Sequence, residues 1–243
     1  MATAVTGAFA LALVAPLSAS AADTLDEAAQ AARSAGEPPP VGAPSQVDDT
    51  AEGVLVQAPA DLPGDVRMLL PGADIVSDSQ AGVVATAAGG GSTALQTTEE
   101  GGVRASIAIA GHDAPERYSF RFAGASRLML NEDGSVTVYN AAGEVDSGVA
   151  APWARDADGT AVATHYEVDG TTLTQVVSHR AGRVEYGVVA DPFWFGLAIK
   201  ACMKVKCYNW MPATIRRQFL YAPQNPAVTA WLRAWFCGST WFC

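Results

Sequence analysis

Tyr118-Ser119-Phe120-Arg121-Phe122 places an aromatic ring at every second position, with a polar side chain between. Successive side chains of an extended strand point to opposite faces, so this order turns the rings to one side and Ser119 and Arg121 to the other. The same period returns in Val136-Thr137-Val138-Tyr139 and in Thr172-Leu173-Thr174. Between these runs stand Asn131-Glu132-Asp133-Gly134, Ala142-Gly143, Asp156-Ala157-Asp158-Gly159, Val168-Asp169-Gly170 and Ala181-Gly182. Gly, Asn and Asp tolerate the positive φ that hairpin turns require, and turns about 10 residues apart favour antiparallel pairing. No helical period of comparable strength appears from residue 53 to residue 190. The pattern predicts a mainly β fold over residues 53–191, an antiparallel β-sandwich or open barrel, long enough for one hydrophobic core. Gly89-Gly90-Gly91-Ser92 reads as a loop within it and not as a phosphate cradle, because no Lys follows and no helix opens there.

Charge divides the chain at the end of that region. All 25 acidic residues lie at or before Asp191, where only 9 Arg and no Lys oppose them, a net charge of −16. Residues 192–243 hold Lys200, Lys204, Lys206, Arg216, Arg217 and Arg233 and no acid, a net charge of +6. Such asymmetry marks an interaction tail or a separate module.

The beginning of the chain reads as an export signal. Residues 8–17 are an uncharged run of Ala, Leu, Val and Phe, broken by Pro16 and Ser18, and Ala19-Ser20-Ala21 supplies the small residues a signal peptidase needs. The run is too short to span a bilayer of about 30 Å as a helix. Residues 1–22 are therefore expected to be a cleaved signal peptide and the mature protein to be secreted. Residues 1–7 lack the positive charge such a signal normally carries, so the true start codon is expected upstream. Residues 23–52, rich in Ala, Pro and acid, are expected to form a disordered leader with at most a short helix near 25–33.

After Pro192 the texture changes. Five of the six Trp and all four Cys follow it. A first helix is expected over 196–210, stopped by Pro212. A second is marked by Asn225 as N-cap, Pro226 at the first helical position, and Val228, Trp231, Leu232 and Trp235 on one stripe ending at Gly238. An exported chain with four Cys is expected to pair them. Cys202 and Cys207 on one helix would hold their Cα atoms roughly 8–9 Å apart, beyond the roughly 7 Å that a disulfide tolerates. Each should cross to Cys237 or Cys243, giving a small disulfide-stapled helical module over 192–243. Zinc is the weaker reading, because the spacing is loose and no His lies nearby.

The segment running from Thr172-Leu173-Thr174-Gln175-Val176-Val177 to Tyr186-Gly187-Val188-Val189-Ala190-Asp191-Pro192 resembles the end of a β-rich region shared by uncharacterised secreted proteins of high-GC Gram-positive bacteria. There Tyr-Pro-Val-Val-Ala-Asp-Pro precedes a variable C-terminal part, with Gly187 here in place of the first Pro. The resemblance extends from about residue 127 and takes in Pro152-Trp153-Ala154 and His165-Tyr166. It implies export and modularity, and no activity.

Catalytic chemistry finds little support. His112, His165 and His179 have no nucleophile elbow to serve, and ordinary strand or turn roles fit them better. The Asp/Asn-x-Asp-Gly stretches at Asn131 and Asp156 open like calcium loops but lack the distant Glu that completes one, so they read as hairpin turns. No enzyme activity, cofactor, metal or nucleic acid is expected. The tail carries the remaining signal: Lys200, Lys204, Arg216, Arg217, Trp231, Trp235 and Trp241 suit an anionic membrane or cell envelope, in the manner of a bacteriocin. A carbohydrate or cell-wall binding module is the alternative, as is a structural tail docked on the β domain.

Overall fold

The computed structural model describes residues 20–37, 40–57, 66–87, 91–98 and 102–195. It opens with α1 (Ala21–Ala35), β1 (Pro40–Gly42), β2 (Val47–Thr50), β3 (Gly53–Val56), β4 (Arg67–Pro71) and β5 (Ala73–Ser79). Next come β6 (Gly82–Ala87), β7 (Ser92–Thr98), β8 (Val103–Ile109), β9 (Arg117–Ala123), β10 (Ala125–Leu130) and β11 (Val136–Asn140). The last are β12 (Val145–Val149), β13 (Trp153–Arg155), β14 (Thr164–Asp169), β15 (Thr172–Val177), β16 (Val188–Asp191) and β17 (Phe193–Phe195).

All pairings are antiparallel. One sheet of 11 strands runs β10-β11-β12-β17-β8-β7-β6-β5, with β1 on β7 and with β16 bridging β8 and β13. The other sheet runs β14-β15-β9-β4-β3-β2. One core lies between them: Phe120, Phe122, Met68 and Leu173 from the smaller sheet meet Leu95, Ile107, Val138 and Trp194 from the larger. The architecture is a β-sandwich, and the alternation at 118–122 and 136–139 turns its apolar members inward as the sequence requires. Each buried ring of Phe size contributes about 1.5–3 kcal/mol by leaving water. The ring of Phe122 meets Trp194 edge-on, with centroids 5.7 Å apart. The expected turns close where they were placed, and Asn131 and Asp156 spend their side chains on them. Asp156 Oδ1 accepts from the N–H groups of Asp158 (3.1 Å) and Thr160 (2.8 Å), and Asn131 Nδ2 donates to Ser135 and Thr137.

Two boundaries differ from the sequence expectation. Residues 23–52, expected as a disordered leader, carry α1, β1 and β2. The capping box of Ser20 and Asp23 starts the helix, Gly36 ends it at φ 77°, and Leu25, Ala28 and Ala32 recur at helical spacing on its buried face. Overall polarity hid this spacing, and small Ala side chains let the helix lie close to Val84 and Ala94 of the larger sheet. A cut after Ala21 would remove Ser20 and with it the cap. The β region also runs past Asp191, because β17 pairs with β12 and β8 on the far side of Pro192. The Pro192 carbonyl accepts from Ala105 N–H at 3.1 Å, so the residue lacking a donor still joins the ladder. Trp194 is therefore core, its indole N–H donating to Ser147 Oγ at 2.9 Å. The module expected over 192–243 lies outside the described residues from 196 onward.

Gly53 shows how tightly the sheets close. Its φ is 130°, and an added Cβ would strike the Leu70 carbonyl oxygen and come within 2.8 Å of Gly72 N. Both obstacles are backbone and cannot rotate away. Gly53→Ala should therefore cost more than about 3 kcal/mol, beyond the usual range for a point change. Urea denaturation of the variant against the native chain measures this; a cost under about 1 kcal/mol would contradict the packing.

Candidate functional site

The seven candidate contact residues, Lys200, Lys204, Arg216, Arg217, Trp231, Trp235 and Trp241, lie outside the described residues. So do Cys202, Cys207, Cys237 and Cys243. What the structure describes is the place from which that segment departs, and there it assembles charged groups that the sequence reading passed over.

Arg104 lies in Val103-Arg104-Ala105-Ser106-Ile107-Ala108-Ile109, a strand buried on both faces. Its guanidinium is 0% exposed, with Nε 2.9 Å from Asp191 Oδ2 and Nη2 3.5 Å from Glu37 Oε2. Asp191 closes β16 and is itself 1% exposed, while Glu37 follows the C-cap of α1 and is one-third exposed. The Phe193 ring of β17 lies under the guanidinium, 5.3 Å from it. Gly102 makes room for this, since a Cβ there would enter the Phe193 ring. One cation thus joins the end of the helix, the end of β16 and the last described strand. The Nε–H and the carboxylate are close but poorly aligned for a hydrogen bond, so charge attraction holds them more than directed bonding. A lone charge in an apolar run was the visible signal at Arg104, but nothing in the sequence names its distant partner.

The electrostatics follow from burial. Removal from water pushes the Asp191 carboxyl up to about 7; Arg104 opposes this, Glu37 adds to it, and the Trp153 indole beside it opposes it weakly. Trp153 faces Asp191 directly across the β13–β16 pair. The cluster sets one cation against two carboxyls, and the Asp191 carboxyl is poised to take up a proton near neutrality.

The histidines take separate roles. His179 is fully buried, its Nε2 within 3.1 Å of the Pro115 carbonyl and 3.2 Å of the Ala114 carbonyl. On the other side of the ring Nδ1 lies 3.4 Å from Tyr186 OH, which also reaches the His179 carbonyl at 3.5 Å. His179 fastens the 114–115 loop to the turn before β16. His165 faces Glu167 at 3.6 Å and His112 faces Asp113 at 3.8 Å, both pairs well exposed. An open groove of about 390 Å³ on the outer face of the smaller sheet is lined by Leu55, Leu69, Arg67 and an Arg121–Glu52 ion pair, with no aromatic ring. Among the described residues, no group of three His, Cys, Asp or Glu could hold a metal ion, and no helix is long and apolar enough to cross a membrane.

The chain matches no family model, and neither a curated protein nor a solved structure is similar to it.

Arg104→Ala leaves Asp191 buried without its cation and should cost about 3–5 kcal/mol, whereas Arg104→Met combined with Asp191→Leu should recover most of that loss. Urea midpoints of the native chain, both single variants and the double variant test this, and additive losses would contradict it. The folded carboxyl of Asp191 holds its proton above the unfolded value, so the folded state binds more protons between about pH 4 and about pH 7. This group's contribution to stability should therefore fall as pH rises through that window, and Asp191→Asn should flatten the slope.

Proposed function

We propose that this is a secreted, non-enzymatic protein whose cationic, Trp-rich, disulfide-bonded C-terminal segment contacts an anionic membrane or cell envelope, as a bacteriocin-like effector does. The partition of charge carries the reading: −16 through residue 191 and +6 thereafter, with Trp210, Trp231, Trp235 and Trp241 among the basic residues. Lys and Arg meet lipid phosphates while Trp rings settle at the interface. The acidic sandwich is repelled by the same surface, which favours an arrangement with the body held away and the segment in contact. The root of the segment supports this. β17 lies between β12 and β8 in the middle of the larger sheet, with Phe195 paired to Gly148, so the segment leaves from a firm base.

Wall carbohydrate is the second partner class, and it separates from the first by salt. Attraction between charges is screened within about 8 Å at physiological ionic strength, whereas sugar stacking on Trp persists.

Co-sedimentation of the oxidised chain with anionic and neutral vesicles, at low and high salt, tests the proposal. Binding should be selective for anionic vesicles and weaken with salt. Each basic residue is worth about 1 kcal/mol at such a surface, so Lys200→Gln with Lys204→Gln should weaken binding roughly 30-fold. Trp231→Ala with Trp235→Ala should abolish it. Unchanged binding in both pairs, or equal binding to neutral vesicles, would contradict the proposal. Mass spectrometry of protein collected from culture medium should show a mature chain beginning near Ala22.

A further inference from the structure

The groove on the outer face of the smaller sheet has two ends of different character. Along β4, Arg67 lies opposite Ala123 of β9, while Leu69 lies between Arg121 of β9 and Leu55 of β3. Directly paired residues share a face, so Leu69 and Leu55 together make an apolar floor, with Arg67 at one end of it. The other end lies at Gly53, which pairs with Pro71 of β4 and with Thr50 of β2. Four residues of extended strand separate Arg67 from Pro71, about 13 Å. Between these ends lies the open volume of about 390 Å³, walled on either side by the short side chains of Ala51 and Ala123.

Polar groups at the far end are spent on one another. The Thr50 hydroxyl donates to the Gly53 carbonyl at 2.6 Å, and Glu52 pairs with the Arg121 guanidinium. Asp48, across from Leu55, lies 3.5 Å from the Gln46 amide and does not line the groove. Arg67 differs. Arg104, Arg117, Arg121 and Arg180 each meet a carboxylate, whereas the half-buried Arg67 guanidinium meets none among the described residues. Arg121 also keeps its Nε–H buried without an acceptor. In a body that holds all 25 acids of the chain, a cation left unpaired beside an apolar floor is the exception. Its planar fork of donors matches a carboxylate bidentately.

We propose that this groove binds a small organic monoanion, a carboxylate on a short apolar arm, with the carboxylate on Arg67 and the arm across Leu55 and Leu69. Charge selects the headgroup. Arg67 and Arg121 against Glu52 leave the lining one positive charge, which repels a cation and neutralises a single negative charge. The floor selects the arm, since it is aliphatic and offers a sugar no ring to stack on. A short fatty acid and the free end of a peptide with an apolar last residue share this chemistry. The site stands on described residues and does not depend on the envelope-contact reading, so failure of either leaves the other in place.

The test is nuclear magnetic resonance of the isotopically labelled full chain, titrated with sodium hexanoate. The methyl signals of Leu55 and Leu69 should move and saturate with a dissociation constant of about 1 mM, as suits so small a ligand. Hexylammonium should leave them in place, and acetate, which lacks the arm, should bind several-fold more weakly. Arg67→Gln should weaken hexanoate roughly tenfold, and Ala123→Leu, which fills the groove opposite Arg67, should weaken it several-fold. Backbone signals of β3 and β4 show that each variant is folded, and either folded variant decides. N-acetyl-alanyl-leucine, titrated in the same way, tells a peptide end from a fatty acid by which of the two binds more tightly. Leu55 and Leu69 signals unmoved by both carboxylates would overturn the proposal. So would equal movement with hexylammonium, or hexanoate binding unchanged in a folded variant.

Discussion

Burying Arg104 beside Asp191 constrains the molecule more than any other contact described in it. A guanidinium withdrawn from water is costly unless a carboxylate meets it, and a buried carboxylate carries the converse penalty. The two strands that supply them must therefore stay in register, with Ala190 opposite Ile107 and Phe193 opposite Arg104. Glu37 extends the constraint to the end of α1, and Gly102 extends it to Phe193 by leaving no side chain where the ring must lie. An apolar pair of equal volume could be as stable in such a place. What the ionic version adds is a charged link between the end of α1 and strands that already pair by backbone.

How much of this the sequence could disclose depended on range. Period-two alternation at Tyr118–Phe122 and the Gly, Asn and Asp turns are local signals, each decided within about 10 residues, and they point to an antiparallel sandwich or open barrel. The turn at Asp156 was legible for the same reason. α1 was obscured because an Ala-rich, acidic stretch resembles a flexible leader in composition, while its buried face is carried by only Leu25, Ala28 and Ala32. β17 was assigned to the tail because charge and aromatic content change at Asp191, before the sheet itself ends. Composition reports what a segment could contact, and here Phe193-Trp194-Phe195 contacts the sandwich. The pairing of Arg104 with Asp191 is a long-range fact, set by how β8 and β16 meet. The predicted contact residues and cysteines of 200–243 belong to a part of the chain that the described structure does not cover.

The functional picture joins these two scales. The acidic body contributes a rigid sheet, and the basic segment leaves it from the central strand β17. The helix, the ion cluster and the outward Phe rings lie on one face of that sheet, so both ends of the described chain converge there. On the reading proposed above, that root presents a cationic, aromatic segment to an anionic surface. Buried polar side chains such as His179 and Ser147 hold strands and turns together.

The central claim is that the Arg104 cluster couples α1 and β17 to the sandwich as one cooperative unit. Native-state hydrogen exchange across the full chain, measured in the native protein and in Arg104→Met, tests it most directly. In the native protein, the protected amides of α1 and β17 should open with the same free energy as those of β8. In the variant, α1 and β17 should open at lower free energy while β3, β4 and β9 stay bound to the global transition. Independent fraying of α1 in the native protein, with β17 unaffected by the variant, would contradict the account.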